Sequence, residues 1–312
     1  MQVSFIIPLY NCLPLTQAMV ASLQATLPSG LKHEIILVDD GSTDGTREWL
    51  ATLQSPFRVV LNERNLGYAA ANNRGAAIAT GELLALLNND LILTRHWLEP
   101  MLTAHRALGS RAGLIGNVQL DARTGEVDHA GIFFNHKGKP EHVRELPLLP
   151  LRVITPVHRV DAVTGACLLV ARDLWQQLAG FDEGYVNGCE DVDLSLRALA
   201  AGRINAVALR SVVRHHVSAS PGRKQRDEEN TFRFTRRWRT KLRDLSVRRW
   251  SRNYFETASL HPRDREFPAA LQIWLHALGL RRTAPAASVA GIDAALAAEL
   301  ARWEKMFRNR SG

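Results

Sequence analysis

The N-terminal third of the chain repeats one pattern, in which a short apolar run is followed by polar residues and then by a stretch with helical spacing. Short runs rich in Val, Ile and Leu that end at turn residues are typical of strands buried on both faces. Strands that alternate with helices build parallel βαβ units, so the pattern predicts an α/β fold. The predicted strands are Val3 to Leu9, Glu34 to Val38, Arg58 to Leu61 and Leu83 to Leu87, and the predicted helices are 15–26, 43–53, 68–80 and 97–108.

Carboxylates directly follow two of these predicted strands. Asp39 and Asp40 come at the end of the second strand, and Asp90 follows the fourth. In an open parallel sheet the carboxyl ends of the strands share one edge, which is where ligands bind in such folds. We therefore expect the three carboxylates to gather in one crevice.

Beyond residue 108 the pattern is mixed, and we expect the α/β fold to close near His215. Pro residues from 140 to 156 predict a flexible loop. The β-like runs are 113–120, 131–134 and 160–171, and the helical runs are 173–179 and 191–201.

The charge is distributed unevenly along the 312 residues. Residues 1–202 carry 16 basic and 21 acidic side chains, whereas residues 203–312 carry 23 basic and 10 acidic ones. Such a basic region suits a phosphate-bearing partner, whether anionic lipid headgroups, a lipid-linked diphosphate or nucleic acid, although a solvated basic helix explains it as well. Helical patterns at 224–250, 267–280 and 286–307 predict that this region is helical.

The composition is that of an ordinary soluble globular protein, with 46% apolar and 22% charged residues. The N-terminus lacks the features of a signal peptide, and no apolar stretch is long enough to predict a membrane span. Cys12, Cys167 and Cys189 are too far apart in sequence to indicate a zinc site or a redox pair. We expect a cytoplasmic protein, with peripheral contact between the basic region and the anionic inner face of the cytoplasmic membrane as a further option.

Five groups of motifs follow one another along the chain. They are Ser4 to Asn11, Val38 to Thr46, Asn65-Leu66-Gly67 with Asn72 to Gly75, Asn88-Asn89-Asp90, and Gly180 to Glu183 followed by Glu190 to Leu194. In this order they resemble the family 2 glycosyltransferases of the GT-A fold, from about residue 3 to about residue 238. The resemblance implies a mixed, mostly parallel sheet flanked by helices. It also implies a catalytic domain over residues 1–222, with a nucleotide-binding half (1–95) and an acceptor-binding half (96–222), and a basic helical C-terminal extension over residues 223–312.

The resemblance implies an inverting enzyme that moves a sugar from a UDP- or dTDP-sugar to a hydroxyl of a glycan, glycolipid or glycoprotein. In the family, the second aspartate of the Asp-Asp-Gly-Ser motif reads N3–H of a pyrimidine, which here is Asp40. The other residues that the resemblance assigns to the nucleotide are Pro8, Tyr10, Asn11, Asp39, Asn65, Gly67, Asn73 and Asn89. Purely structural roles remain open for these residues, since helix caps, strand ends and turns use the same residue types.

Asn88-Asn89-Asp90 takes the place of the family's Asp-x-Asp metal motif, but only Asp90 is charged. The resemblance implies a divalent cation, Mn²⁺ or Mg²⁺, held by Asp90 and by His215, with a structural histidine as the alternative for His215. A cation that bridges phosphate oxygens needs few ligands from the protein. Arg223 and Lys224 are further candidates, as a phosphate clamp.

Glu190-Asp191 matches the family's Glu-Asp pair, in which the aspartate is the general base. Asp191 would therefore take the proton of the acceptor hydroxyl. The alternative is that these acids only stabilise a helix N-terminus, an effect of about 0.3 to 1 kcal/mol. Asp182 and Glu183 would orient the acceptor or donor sugar, or else shape a turn.

Two other functions fit parts of the pattern. A sugar-nucleotide pyrophosphorylase would need a Gly-rich, Arg-containing loop after the first strand, but this chain has Tyr10 to Pro14 there, so the sequence excludes this function. A catalytically degenerate protein that binds a nucleotide or glycan, with the basic extension on a membrane or nucleic acid, would be expected to lack Asp90 or Asp191, and both are present. The sequence does not favour nucleic acid as a partner, because the Trp and Arg residues of the extension also fit helix packing.

Overall fold

The computed structural model describes residues 2–146, 155, 157–216, 226–258 and 267–310. These residues form two compact units, of which the first comprises Met1–Ile132 and His142–Asp227 and the second comprises Phe133–Glu141 and Glu228–Gly312. The predicted clamp residues Arg223 and Lys224, the predicted boundary at residue 222 and most of the later half of the predicted 140–156 loop lie outside the described residues.

The strands are β1 (Gln2–Leu9), β2 (Lys32–Asp39), β3 (Phe57–Leu61), β4 (Leu83–Leu87), β5 (Leu91–Leu93), β6 (Ala112–Asp121), β7 (Val127–His129), β8 (Ile132–Phe134), β9 (Pro140–His142), β10 (His158–Arg159), β11 (Cys167–Ala171) and β12 (Ile204–His215). Ten of these described strands form one sheet in the order β10-β12-β6-β11-β4-β1-β2-β3, with β5 beside β12 and β7 beside β6. Strands β1 to β4 run parallel, as do β6 and β12, whereas β11 is antiparallel to both of its neighbours. The predicted mixed, mostly parallel sheet is confirmed.

Helices cover both faces of the sheet. Successive side chains of a strand point to opposite faces; accordingly Phe5 packs in a cluster with residues of α1 and α4, and Ile6 in a second cluster with residues of α3, α5 and α6. Both clusters are buried, as in parallel sheets with helices on each side. The helices are α1 (Leu13–Thr26), α2 (Thr46–Leu50), α3 (Tyr68–Ile78), α4 (Leu98–Leu108), α5 (Arg172–Gln177), α6 (Glu190–Ala200), α7 (Asp227–Ala258), α8 (Phe267–Ala277) and α9 (Ala286–Arg310).

The carboxyl ends of the first four strands meet at one edge of the sheet. Leu9 of β1 lies beside Asp39 of β2, which lies beside Leu61 of β3. Strand β4 is parallel to β1 and runs directly into Asn88. The polar segments after these strands therefore leave the sheet at the edge where ligands bind in such folds.

The second unit consists of α7, α8 and α9 with residues 133–141. The rings of Phe134 and Phe234 stack in its core with centroids 6.1 Å apart. A Cβ added to Gly291 of α9 would lie 1.9 Å from Cζ2 of Trp250, so α9 approaches α7 closely only because this residue is glycine. Among the described helices, none is both long and apolar enough to cross a membrane.

Two sequence expectations differ from the structure. The predicted 43–53 helix is limited to α2, because Gly45 adopts a φ of 90° and Asp44 accepts hydrogen bonds from Leu13 and Thr46 instead of continuing a helix. The predicted 160–171 strand is regular only in β11. The residues before β11 bond to other parts of the fold, as described below for Gly165 and Ala166.

Glu34 is a buried carboxylate that joins three segments of the first unit. It accepts hydrogen bonds from Ser4 Oγ (2.7 Å) and Thr80 N–H (2.6 Å), and it pairs with Arg58 (2.6 Å). Burial alone raises its pKa, but the hydrogen bonds outweigh burial and lower the pKa to about 2. Glu34 therefore stabilises the fold in its charged form.

The Glu34→Gln variant is expected to lose about 2 to 3 kcal/mol of unfolding free energy at pH 7. Because the pKa of Glu34 is lower in the folded state, the charged carboxylate stabilises the protein fully at pH values above its ordinary pKa of 4.5. This stabilisation is lost as the pH falls towards 2. Urea unfolding at pH 7 and pH 3 should therefore show a larger pH effect for the wild type than for the variant. The exposed Glu63→Gln is the control, and equal pH effects in wild type and Glu34→Gln would contradict this account.

Candidate active site

The loops after β1 and β2 are hydrogen-bonded to each other. Asn11 donates its backbone N–H to Ser42 Oγ, and its Oδ1 accepts from Thr43 N–H, both at 2.8 Å. Pro8 is buried in β1, and the Tyr10 side chain is 49% exposed. Asn11 thus fixes the two loops, and Tyr10 leaves an aromatic ring accessible beside them.

Asp39 is fully buried and stabilises the turn that follows β2. Its carboxylate accepts from the backbone N–H groups of Gly41 and Ser42 at 3.3 Å and from Arg47 Nε at 2.8 Å. Arg47 also donates to the backbone carbonyl of Asn62. The contacts of Asp39 therefore shape the loop.

Asp40 holds the segment that precedes α3. Its Oδ1 accepts from Asn62 Nδ2 (2.7 Å) and Leu66 N–H (2.9 Å), and its Oδ2 accepts from Gly67 N–H (2.9 Å). The residue is 3% exposed. Arg74 in turn donates to Asn62 Oδ1 at 2.6 Å, so a cation lies one residue away from this carboxylate.

Gly41 lies against the backbone of residues 64 and 65. Its φ is 83°, and an added Cβ would lie 2.7 Å from the carbonyl carbon of Arg64 and 2.8 Å from the nitrogen of Asn65. Real Cβ contacts are not this short, and the obstruction is backbone. Only glycine lets the two loops approach.

The Gly41→Ala variant is expected to lose roughly 2 to 5 kcal/mol of unfolding free energy, since it adds left-handed strain to a backbone clash. Gly30→Ala is a matched control, because Gly30 also has a positive φ (78°) but no atom within 4 Å of the added Cβ. The control should lose only the strain, about 1 to 2 kcal/mol. Urea unfolding measures both, and equal losses would contradict the close approach.

Asn65, Gly67 and Asn73 do not share one environment. Asn65 is exposed, and Gly67, with a φ of 94°, precedes α3. Asn73 instead holds a distant segment: its Nδ2 donates to the Phe181 carbonyl and to Glu183 Oε1, and its Oδ1 accepts from Phe181 N–H, all at 2.9 Å. The side chain of Asn73 is therefore engaged with residues 181–183.

Asp182 and Glu183 lie in the segment that Asn73 holds. Asp182 Oδ1 accepts from Gly184 N–H at 2.9 Å, within a turn in which Tyr185 N–H donates to the Asp182 carbonyl. Both carboxylates thus have contacts that shape the loop.

Asp90 and His215 face each other at the end of β12. Oδ1 of Asp90 lies 3.2 Å from Nε2 of His215, and the residues are 9% and 4% exposed. The pair lacks hydrogen-bond geometry, and in the described part of the chain neither atom has another hydrogen-bond partner. Two buried polar atoms that converge without partners fit the binding of a cation.

The protein offers few other ligands at this point. Over the described ranges, no group of three or more His, Cys, Asp and Glu side chains could hold a metal. Asn89 Nδ2 donates to Thr16 Oγ1 of α1 at 2.9 Å, so this amide is turned towards α1. Further coordination of a cation would come from its ligand or from water.

Asp191 lies in the first turn of α6. Its Oδ2 accepts from Gly165 N–H and its Oδ1 from Val192 N–H, both at 2.7 Å. Glu190 Oε2 accepts from Gly188 N–H at 2.6 Å, and Cys189, with a φ of 71°, turns the chain into the helix. The Asp191 carboxylate is half-buried and fixed on both sides.

Gly165 and Ala166 connect the separate parts of the site. The N–H of Gly165 donates to Asp191, and its carbonyl accepts from Tyr68 Oη at 2.8 Å. Tyr68 directly follows Gly67, whose N–H donates to Asp40. The carbonyl of Ala166 accepts from Asn88 N–H at 2.8 Å. The two adjacent residues therefore hold Asp191 beside the segment that ends in Asp90.

A pair of histidines lies near Asp191. The Nδ1 atoms of His129 and His142 are 3.4 Å apart, and Gly131 N–H donates to His129 Nε2 at 3.1 Å. Burial lowers the pKa of both rings, and for His142 the carboxylates of Asp191 and Asp128 act in the opposite direction. Burial therefore favours a neutral His142 beside Asp191.

Residues 4–140 match a family model described as glycosyl transferase family 2. The chain therefore contains a glycosyl transferase family 2 domain over these residues. The matched residues include Asp40 and Asp90, whereas Asp191 and His215 lie beyond them.

Two relatives of this chain are much longer than the chain itself. This chain is 30% identical over 275 residues to the uncharacterized protein y4gI of Sinorhizobium fredii. The aligned segment covers 83% of this chain and 29% of y4gI. It is also 32% identical over 232 residues to the O-antigen biosynthesis protein RfbC of Myxococcus xanthus. The aligned segment covers 70% of this chain and 18% of RfbC. The chain thus spans less than a third of either relative.

A solved structure shares the fold. The structure of GalNAc-T7 with UDP, GalNAc and Mn²⁺ superimposes with a TM-score of 0.63 at 18% identity, over 88% of this chain and 55% of that one. The mixed sheet with helices on both faces is the GT-A fold, as expected for family 2.

Several residues of the candidate site belong to none of the sequence motifs. Asn62 follows β3 as Asp40 follows β2, so the same strand-end rule could have identified it. Tyr68 and Gly165 gave no such signal, because their contact joins residues 97 positions apart. His142 lies in the stretch that was expected to be a flexible loop, but it forms the end of β9.

Proposed function

We propose that this chain moves a sugar from a pyrimidine nucleoside diphosphate, a UDP- or dTDP-sugar, to a hydroxyl of a glycan, glycolipid or glycoprotein, with inversion at the anomeric carbon. The observation that carries the proposal is the link through Gly165 and Ala166. It holds Asp191, a carboxylate suited to deprotonate the acceptor, next to the segment with Asp90, a carboxylate suited to hold a cation that would bind the diphosphate. Transfer needs both groups on one bound substrate pair.

Asp40 is the proposed contact to the base. A carboxylate has about four acceptor positions, and Asp40 uses three of them within the protein. The remaining position on Oδ2 would accept N3–H of uracil or thymine, which present the same edge. The exposed ring of Tyr10 would cover the base, while Asp39 and Asn11 shape the loops around it.

Asp90 and His215 are the proposed protein ligands of a divalent cation, Mn²⁺ or Mg²⁺. Their converging unpartnered atoms fit such an ion, and one carboxylate with one imidazole leaves room for phosphate oxygens. When bound, the cation would offset the negative charge that develops on the leaving diphosphate. Asn89, whose Nδ2 donates to Thr16, is proposed to present its Oδ1 towards the ribose or the sugar.

Asp191 is the proposed general base. The acceptor oxygen attacks the anomeric carbon from the face opposite the diphosphate, and Asp191 takes the proton of the hydroxyl. The bond between the anomeric carbon and the diphosphate oxygen breaks, and its electron pair leaves with the diphosphate. A single displacement inverts the configuration. Asp182 and Glu183 are proposed to face the sugars from the loop that Asn73 holds.

The comparisons support the class of substrates. One relative is named for O-antigen biosynthesis, and the GalNAc-T7 structure contains UDP, GalNAc and Mn²⁺. A glycan acceptor and a uridine nucleotide donor are therefore the first pair to examine.

Release of nucleoside diphosphate from UDP- and dTDP-sugars, with glycan acceptors and Mn²⁺, tests the proposal. At least one pyrimidine donor should be consumed, and NMR of the product should show an anomeric configuration opposite to that of the donor. Retention of configuration, or turnover with GDP-sugars only, would contradict the proposal.

A further inference from the structure

Two histidines contact each other near the proposed base. His129 ends β7 and is fully buried, whereas His142 ends β9 and is exposed. Their Nδ1 atoms are 3.4 Å apart, and their rings meet edge to face with centroids 4.9 Å apart. The sugar transfer proposed above gives neither ring a role.

The contact determines where each neutral ring carries its proton. Nε2 of His129 accepts a hydrogen bond from Gly131 N–H at 3.1 Å, so the proton of His129 lies on Nδ1. This Nδ1–H donates to Nδ1 of His142, which therefore acts as the acceptor. Neutral His142 then carries its own proton on Nε2. The two rings are compatible only while Nδ1 of His142 stays unprotonated.

Hydrogen bonds connect the histidine pair to the segment that holds Asp191. Segment 130–132 forms two backbone hydrogen bonds with Val143, the residue directly after His142, and two more with segment 162–165. The latter segment donates a backbone N–H to the Asp191 carboxylate at 2.7 Å. The strand end that carries His142 is thus joined through one segment to the residues that fix Asp191.

Four charged or titratable side chains act on His142. They are His129 and Asp128 from β7, Arg144 after β9, and Asp191 from α6. Although His142 is exposed, desolvation by the surrounding protein lowers its pKa, and the Asp191 carboxylate is the first of the charges that raise it. Asp128 Oδ1 already lies 3.7 Å from Arg144 Nη2. Within the described residues, the Asp191 carboxylate has no salt bridge and accepts from backbone N–H groups.

Protonation of His142 would break its contact with His129. Two Nδ1–H groups would then face each other across 3.4 Å, which is repulsive. His129 is fully buried and lies on a strand that pairs with Gln119 of β6, so the exposed His142 is the ring that can move. A charged His142 is attracted to a nearby carboxylate, and Asp191 is available to it because the described part of the chain gives it no other cation.

We propose that His142 is a positioning residue that controls the general base: when neutral it stays against His129 and leaves Asp191 free, and when protonated it pairs with Asp191 and stops sugar transfer. This proposal rests on the proposed role of Asp191 in the reaction. A carboxylate paired with a cation is a weaker base and has fewer free positions for the acceptor hydroxyl. Transfer would therefore proceed at neutral pH and cease in acid.

NMR titration of His142 tests the pairing without any substrate. The C2–H resonance of His142 is assigned by its loss in His142→Gln, a variant whose side-chain oxygen can still accept from His129. Asp191→Asn should lower the pKa of His142, because it removes the carboxylate that favours the charged ring. Asp173→Asn, in the first turn of α5, is the control and should leave the pKa of His142 unchanged. An unchanged pKa of His142 in Asp191→Asn would overturn the proposal.

The pH dependence of kcat/KM for the acceptor tests the switch, because this ratio reports ionisations of the free enzyme. One pH unit below the pKa that NMR gives for His142, about a tenth of the rings stay neutral, so the wild-type ratio should fall about tenfold from its value at pH 8. His142→Gln should fall less, relative to its own value at pH 8. His136→Gln, between β8 and β9 of the same hairpin, is the control and should follow the wild type.

An equal fall in wild type and His142→Gln would contradict the switch. Absence of transfer with every donor would contradict the proposed function instead, and the NMR titration would still decide whether His142 and Asp191 form a pair.

Discussion

Replacing Asp191 with Asn is expected to reduce sugar transfer by about 100- to 10,000-fold while nucleotide binding stays unchanged, because the amide cannot take the acceptor proton. Asn keeps the size of the side chain, and its Oδ1 can still accept from Gly165 N–H, whereas the contact with Val192 N–H is lost because the amide nitrogen is a donor. The loss should therefore appear in kcat. Initial rates of nucleoside diphosphate release and calorimetric titration with UDP measure the two quantities.

Asp173→Asn is the matched control for this substitution. Asp173 also lies in the first turn of a helix, α5, and it is exposed at the opposite edge of the sheet, where Ala171 pairs with Leu83. This variant should keep wild-type transfer. Wild-type turnover in Asp191→Asn would exclude Asp191 as the base, and a loss of nucleotide binding together with turnover would indicate a structural role instead.

The Asp90→Ala variant is expected to weaken Mn²⁺-dependent nucleotide binding by at least about 100-fold, since even residues that only support a metal ligand typically contribute 10- to 100-fold. In EDTA, wild type and variant should bind the nucleotide equally weakly. Titration of UDP in Mn²⁺ and in EDTA measures both values without relying on turnover.

The His215→Ala and double variants complete this experiment. If Asp90 and His215 hold the same ion, the double variant should lose little more than the single variants, because their effects are coupled. Independent, additive losses would contradict a shared cation. Equal binding by wild type with and without EDTA would contradict a metal site altogether.

The spacing of apolar residues in the sequence predicted the N-terminal half of the sheet, where parallel strands alternate with helices. The four parallel strands and the shared edge at Asp39, Asp40 and Asn88 follow from alternating apolar runs and turn residues. Strand β12 was expected only as the point where the fold closes. Its residues Asn205 and Ser211 are polar but fully buried, and they bond to Leu114 and Trp97, which lie 91 and 114 positions away, so local patterns do not reveal them.

The candidate site was predictable in its chemistry and less so in its contacts. Motifs selected the carboxylates and the histidine, but they could not separate Asp40, which keeps one acceptor position, from Asp39, whose oxygens bind its own loop and Arg47. Likewise Asn73 resembles a nucleotide contact in sequence, yet it hydrogen-bonds the 181–183 segment. The partners of Asp40 lie 22 to 27 positions away and Phe181, the partner of Asn73, lies 108 positions away, so local sequence does not reveal these contacts.

Calorimetric titration of UDP, dTDP, GDP and CDP, first with Mn²⁺ and then with EDTA, measures whether the protein has a metal-dependent site for a pyrimidine nucleotide. A uracil or thymine nucleotide should bind in Mn²⁺, GDP should bind much more weakly, and EDTA should remove most of the affinity. Absence of binding by any of these nucleotides would contradict the account and favour a degenerate binding module.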